Sequence, residues 1–133
     1  MDTKIAKTDA EWRAELSPEA YRIMRGHGTE RAFSSELNQE KSPGMFVCAG
    51  CGKELFPSST KFDSGTGWPS FYAPAAKDAV AEKVDRSWFQ QRTEVHCDSC
   101  GGHLGHVFPD GPKPTGLRYC INGCALDFKP DKA

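Results

Sequence analysis

Two short motifs, Cys48-Ala49-Gly50-Cys51-Gly52 and Cys97-Asp98-Ser99-Cys100-Gly101-Gly102, constrain this 133-residue chain more than anything else in it. Each places two cysteines two residues apart and a glycine directly after the second. That spacing lets a tight turn aim both sulfurs at one ion about 2.3 Å away, and the glycine frees the backbone to curl around it. Together the pairs complete a closed shell of four cysteines, the ligand set of a structural zinc ion. A redox Cys-x-x-Cys is the competing reading, but thioredoxin-like motifs come singly, where a strand enters a helix. Residues 52 to 96 separate the pairs, well beyond the roughly 15–20 residues of a compact ribbon. The metal is therefore expected to staple distant parts of a sheet. A shell of four thiolates has no open position for substrate, so the ion is expected to stabilise the fold and not to catalyse. His96, beside Cys97, is an alternative ligand that a filled shell does not need. His27, between two glycines, is expected in a solvated turn.

The length suits one domain, residues 1–133, with a core of its own. The first residues contain no apolar signal-like run and no stretch approaches a membrane span, so the chain is expected to be cytoplasmic and without a membrane partner. In that compartment thiols stay reduced, which turns six cysteines toward metal binding or catalysis. Lysine and arginine total 17 and aspartate and glutamate 18, for a net charge of −1. With no basic block, nucleic acid is not an expected partner. Nine prolines and thirteen glycines suggest many turns between short strands.

The first thirty residues read as helical. Thr8 and Glu11 fit a capping box ahead of Trp12 and Leu16, four apart on one face. Ser17-Pro18 starts a second helix on which Tyr21 and Met24 share a face, and Gly26 and Gly28 can end it. Residues 29–44 are polar and without period, and read as a surface connection. From residue 45 to 128 the chain changes to short apolar or alternating runs bounded by turn residues: 45–47, 88–95, 104–108, 117–121 and 125–128. The expected class is mainly antiparallel β, a zinc-stapled sheet domain with short N-terminal helices. The tail from Lys129 is expected to fray.

Three further segments carry chemistry. Residues 116–122 alternate with period two, so Leu117, Tyr119 and Ile121 belong to the core while Arg118, Cys120 and Asn122 face the other way. Arg118 would favour thiolate, the attacking form, at Cys120; a half-buried structural cysteine is the alternative. In Gly102-His103-Leu104-Gly105-His106-Val107-Phe108 the histidines lie three apart and would face opposite ways on a regular strand. Gly105 is a residue expected at a bulge, which could bring both rings to one side and let them donate a proton. In Gly65-Thr66-Gly67-Trp68-Pro69-Ser70-Phe71 the glycines suit a loop that exposes an indole as an apolar seat.

These segments, with the two Cys-x-x-Cys pairs and Gly28-Thr29-Glu30 and Phe33 ahead of them, closely resemble methionine sulfoxide reductase B over nearly the whole chain. The resemblance implies a tent-like, mostly antiparallel β fold around one structural zinc, with no organic cofactor. It implies reduction of methionine-R-sulfoxide, free or in proteins, with thioredoxin as the usual reductant. It makes Cys120 the nucleophile, which becomes a sulfenic acid as His103 or His106 protonates the departing oxygen. Trp68 would hold the substrate methyl with Phe108 beside it, and Arg118 and Asn122 would orient and polarise the site.

One departure matters. Many relatives carry a resolving cysteine in the glycine loop where this chain has Thr66. The remaining thiol, Cys124, lies four residues from Cys120, about 13 Å along an extended strand, whereas a disulfide needs Cα atoms roughly 4.4–6.8 Å apart. Cys124 as resolver after a bend at Gly123, Cys124 as a buried structural thiol, and direct reduction by an external thiol all stay open. A monomer is the default expectation. A binding module of the same fold without chemistry, and a zinc-ribbon nucleic-acid binder, are the competing functions; neither uses Cys120, the histidine pair or the Trp68 loop.

Overall fold

A computed structural model describes residues 7–26, 28–85 and 92–131. His27 and the start of the 88–95 run lie outside the described residues.

Among the described residues two seven-residue helices come first, α1 (Asp9–Glu15) and α2 (Pro18–Met24). The capping box forms as the sequence suggests: Thr8 Oγ1 accepts from Glu11 N–H and the Glu11 carboxylate accepts from Thr8 N–H. Ser17 caps α2 through Ala20 N–H, with Pro18 in the first turn. Helix ends at Met24, short of residue 30. Trp12, Leu16, Ala20, Ile23 and Met24 are buried, and Trp12 and Met24 pack against Gly50 and Gly102 of the two cysteine turns. The short helices therefore cap the end of the molecule that carries the two cysteine turns.

Among the described residues nine strands follow, all paired antiparallel: β1 (Gly44–Cys48), β2 (Glu54–Pro57), β3 (Lys61–Phe62), β4 (Ser70–Phe71), β5 (Val80–Asp85), β6 (Arg92–Cys97), β7 (His103–Phe108), β8 (Arg118–Ile121) and β9 (Leu126–Pro130). They form a three-stranded sheet, β2-β1-β9, and a six-stranded sheet, β3-β4-β8-β7-β6-β5. The last strand runs to Pro130, further than a fraying tail would allow, because β1 pairs with it along its whole length. Phe56 stacks on Phe71 with centroids 4.5 Å apart, and Phe46 meets Phe71 edge-on at 5.1 Å. These rings bridge the sheets, since Phe46 and Phe56 belong to one and Phe71 to the other.

Each Cys-x-x-Cys motif is the turn of a β-hairpin. Cys48 N–H donates to Lys53 C=O across the β1–β2 turn, and Cys97 N–H to Gly102 C=O across the β6–β7 turn. The hairpins lie in different sheets, so the cluster ties sheet to sheet where the sequence suggested distant parts of one. The connection 29–44 is not all surface: Glu30 is buried. No helix among the described residues is long and apolar enough to cross a membrane.

Candidate active site

The ligating atoms of Cys48, Cys51, Cys97 and Cys100 all lie within 4.8 Å of one another, with Cys48–Cys100 at 3.7 Å and Cys51–Cys97 at 3.6 Å. A tetrahedron with sulfur about 2.3 Å from a central zinc has edges of about 3.8 Å, so the donor set and its spacing fit a metal ion. Hydrogen bonding among the sulfurs holds Cys48 protonated, while bonds to Cys48 draw Cys51 to about 7 and Cys100 to about 4. Four sulfurs this close can all ionise only with a cation among them. Arg25 donates to Cys100 C=O at 3.0 Å and fixes α2 against the cluster.

A cavity of about 310 Å³ opens on the opposite face of β8 from the core. Its floor is Cys120, for a reason visible in the strand ladder: β8 runs between β4 and β7, with Cys120 in register with Ser70 on one side and His106 on the other. Cross-strand partners point the same way with β-carbons about 5 Å apart. Tyr119 and Ile121 turn inward, and Arg118 and Asn122 line the cavity with Cys120, the parity that period-two alternation implies.

The histidines converge through a bulge. Val95 pairs with Gly105 but His96 pairs with His103, so β7 carries one extra residue, Leu104, opposite β6. Both rings thereby reach one side, edge to face at 5.5 Å. Gly105 permits it for a second reason: a β-carbon there would lie 2.0 Å from Cys120 C=O. The two imidazoles are not equivalent. His106 lines the cavity, whereas His103 is buried and its Nδ1 lies 2.9 Å from Glu94 Oε2. Glu94 is itself in register with His106.

Arg118 forks onto Asp110, Nε to Oδ1 at 2.9 Å and an Nη to Oδ2 at 3.1 Å, with its guanidinium over the Phe108 ring at 4.5 Å. Asn122 is more committed than expected: its Nδ2 donates to Leu104 C=O and its Oδ1 accepts from Glu30 N–H, both at 2.9 Å. It anchors the cavity wall more than it is free to polarise a substrate. Trp68 lines the cavity and is held by Nε1 donating to Glu30 C=O at 3.0 Å. Glu30 thus positions both Trp68 and Asn122, a role no local signal in a polar loop announced.

Burial pushes the Cys120 thiol up, and the nearby Arg118 charge with hydrogen bonds from Thr66 and Arg118 pulls it back only in part. The sequence displayed Arg118's pull but not the larger cost of burial. Since a raised thiol carries less thiolate at any pH below its midpoint, Arg118→Ala should push the midpoint of Cys120 alkylation by iodoacetamide to higher pH. The rate at neutral pH should fall severalfold; an unmoved midpoint would remove Arg118 from thiolate stabilisation.

Cys124 is not among the residues that line this cavity. It sits in a 3-10 turn, Gly123–Ala125, with its N–H donated to Glu30 Oε1 at 3.0 Å, and burial with the Glu30 charge pushes its thiol up to about 12. Thr66 does line the cavity and hydrogen-bonds Cys120.

With this geometry in view, comparison with known proteins is specific. The SelR domain profile matches residues 16–130. A protein of Thiobacillus denitrificans named "Peptide methionine sulfoxide reductase MsrB" is 59% identical over 130 residues, covering 98% of each chain. Identically named proteins of Pseudomonas putida and Leptospira interrogans are 59% and 52% identical, covering 96% of each chain in the first case and 98% of this chain and 100% of the relative in the second.

Proposed function

The chain belongs to the SelR domain family, and from that premise we propose that it reduces methionine-R-sulfoxide to methionine with Cys120 as the nucleophile and external thiols as the electron source. The observation that carries the reading is the ladder itself: a cysteine and an imidazole directly opposite one another, Cys120 and His106, at the base of a cavity walled by Trp68.

The substrate methyl rests against the Trp68 indole, with Phe108 beside it, which aims the sulfoxide sulfur at Cys120. The Cys120 sulfur attacks that atom as it gives up its proton. His106 protonates the sulfoxide oxygen, which passes to Cys120, and the sulfide departs. In sum Cys120–SH and sulfoxide become Cys120–SOH and sulfide: the substrate sulfur is reduced by two electrons and the cysteine sulfur oxidised by two. A dithiol then returns Cys120 to thiol, releasing water and leaving as a disulfide. Thioredoxin fits this requirement for a dithiol. Cys124, held as a thiol beside Glu30 and outside the cavity, is a poor resolver, and Thr66 closes the other internal route. Direct reduction of the sulfenic acid by the external thiol is the route these placements favour.

His103 acts through His106. Glu94 accepts its Nδ1–H, which fixes one tautomer and holds the ring against His106. Glu94→Gln is expected to lower kcat by about 10- to 100-fold, part of the general-acid contribution, while KM stays within about twofold; Glu94→Asp should recover some of the loss. The four-cysteine cluster takes one zinc ion, which supplies structure alone because four thiolates leave it no open coordination site.

The deciding assay is steady-state turnover of the separated R and S epimers with dithiothreitol. Activity confined to the R epimer is expected. Equal turnover of both, or of neither, would overturn the assignment.

A further inference from the structure

A second cavity, of about 410 Å³, lies across residues 63–68 from the one that holds Cys120. Gly65 and Gly67 line it, while Thr66 and Trp68, which alternate with them, line the catalytic cavity. One loop is the wall of both. On its rim stands Phe33, 69% exposed, with its backbone tied in place. Its N–H donates to Gly67 C=O at 2.7 Å, its φ is +64°, and a β-carbon on Gly67 would come within 2.8 Å of its ring. Bulky residues rarely adopt that backbone conformation, and most of this side chain still faces solvent. Strain of this kind, at a fixed and exposed aromatic beside a reaction site, points to a ligand that covers the ring.

The rest of the lining says what kind. Phe62 adds a second apolar surface, and Asn38 and Gln39 supply amides able to meet main-chain N–H and C=O groups. Lys41 and Lys61 are balanced by Glu40 and Asp63, so no ligand charge is selected. A polypeptide of varied sequence suits such a surface. An extended chain advances about 3.3 Å per residue, so neighbours of a methionine sulfoxide seated over Cys120 reach across a wall one loop thick.

We infer that the Phe33 cavity is a subsite for the peptide flanking an oxidised methionine, with the Phe33 ring as its apolar contact. This rests on the reading of the reaction given above. The test uses dithiothreitol as reductant and two substrates, free methionine-R-sulfoxide and a short blocked peptide with that residue at its centre. Phe33→Gly and Phe33→Asn both remove the ring while suiting a positive φ. In each, kcat/KM for the peptide should fall about tenfold, the scale of one lost aromatic contact, and that for the free amino acid should stay within about twofold. Equal falls on both substrates, no fall on either, or a fall seen only when thioredoxin replaces dithiothreitol would overturn the subsite, the last by giving the surface to the reductant. Wild-type protein inactive on both substrates would bring down the functional reading itself.

Discussion

Stripping the metal with a strong chelator, or replacing Cys97 with serine, is expected to unfold this protein and not merely to weaken it. Structural zinc in small domains contributes about 10–16 kcal/mol at neutral pH, against a net stability of about 5–15 kcal/mol for a domain of ordinary size. The topology makes the dependence acute. The four sulfurs come from the turns of two hairpins in two different sheets, and α1 and α2 pack on those same turns through Trp12 and Met24. Without the ion nothing binds the four sulfurs together at the junction of three parts of the fold. Elemental analysis should give about one zinc per chain, and circular dichroism should lose its cooperative melt once the metal is gone. A folded, metal-free protein with an unchanged melt would contradict this.

The second large effect is chemical. Cys120→Ser should cut turnover of methionine-R-sulfoxide by about 10⁴-fold or more, the scale seen when a nucleophile is removed from an enzyme that depends on it. A hydroxyl remains protonated at neutral pH and cannot take up the oxygen as a sulfenic acid does. The substitution changes one atom on a half-buried strand position flanked by Ser70 and His106, so the melting profile should stay close to wild type. Full activity in this variant would remove Cys120 from the reaction. Loss of activity together with loss of folding would instead make it a core residue.

How far the sequence discloses this arrangement depends on how local each part is. The face of β8 that carries Arg118, Cys120 and Asn122 follows from a period of two within seven residues, and the grouping of four cysteines able to hold a metal ion follows from spacing alone. The convergence of His103 and His106 needed a bulge, for which Gly105 is the single local sign. Glu94 is different in kind. It meets His103 only because the second cysteine pair turns a hairpin, so treating residues 97–102 as that turn and counting back along β6 would have found it. Glu30 could not be found that way. Its backbone orders Trp68 and Asn122, which are distant in sequence, and it sits in a polar stretch with no period. The strands β3 and β4 escape notice because two residues each cannot display an alternation, and their membership in the sheet is dictated by pairing with β8. Burial is the other nonlocal quantity: Arg118 beside Cys120 is visible in the sequence, whereas the desolvation that outweighs it is not.

The most direct measurement is a single turnover without reductant. Reduced protein is mixed with methionine-R-sulfoxide, methionine is counted, and the cysteines are mapped by mass spectrometry after trapping with a sulfenic-acid reagent. The expected result is methionine in stoichiometric yield, the trap on Cys120 alone, and Cys124 still a free thiol. Methionine formed with Cys120 unmodified would contradict the central assignment, and a Cys120–Cys124 disulfide would contradict the route of its reduction.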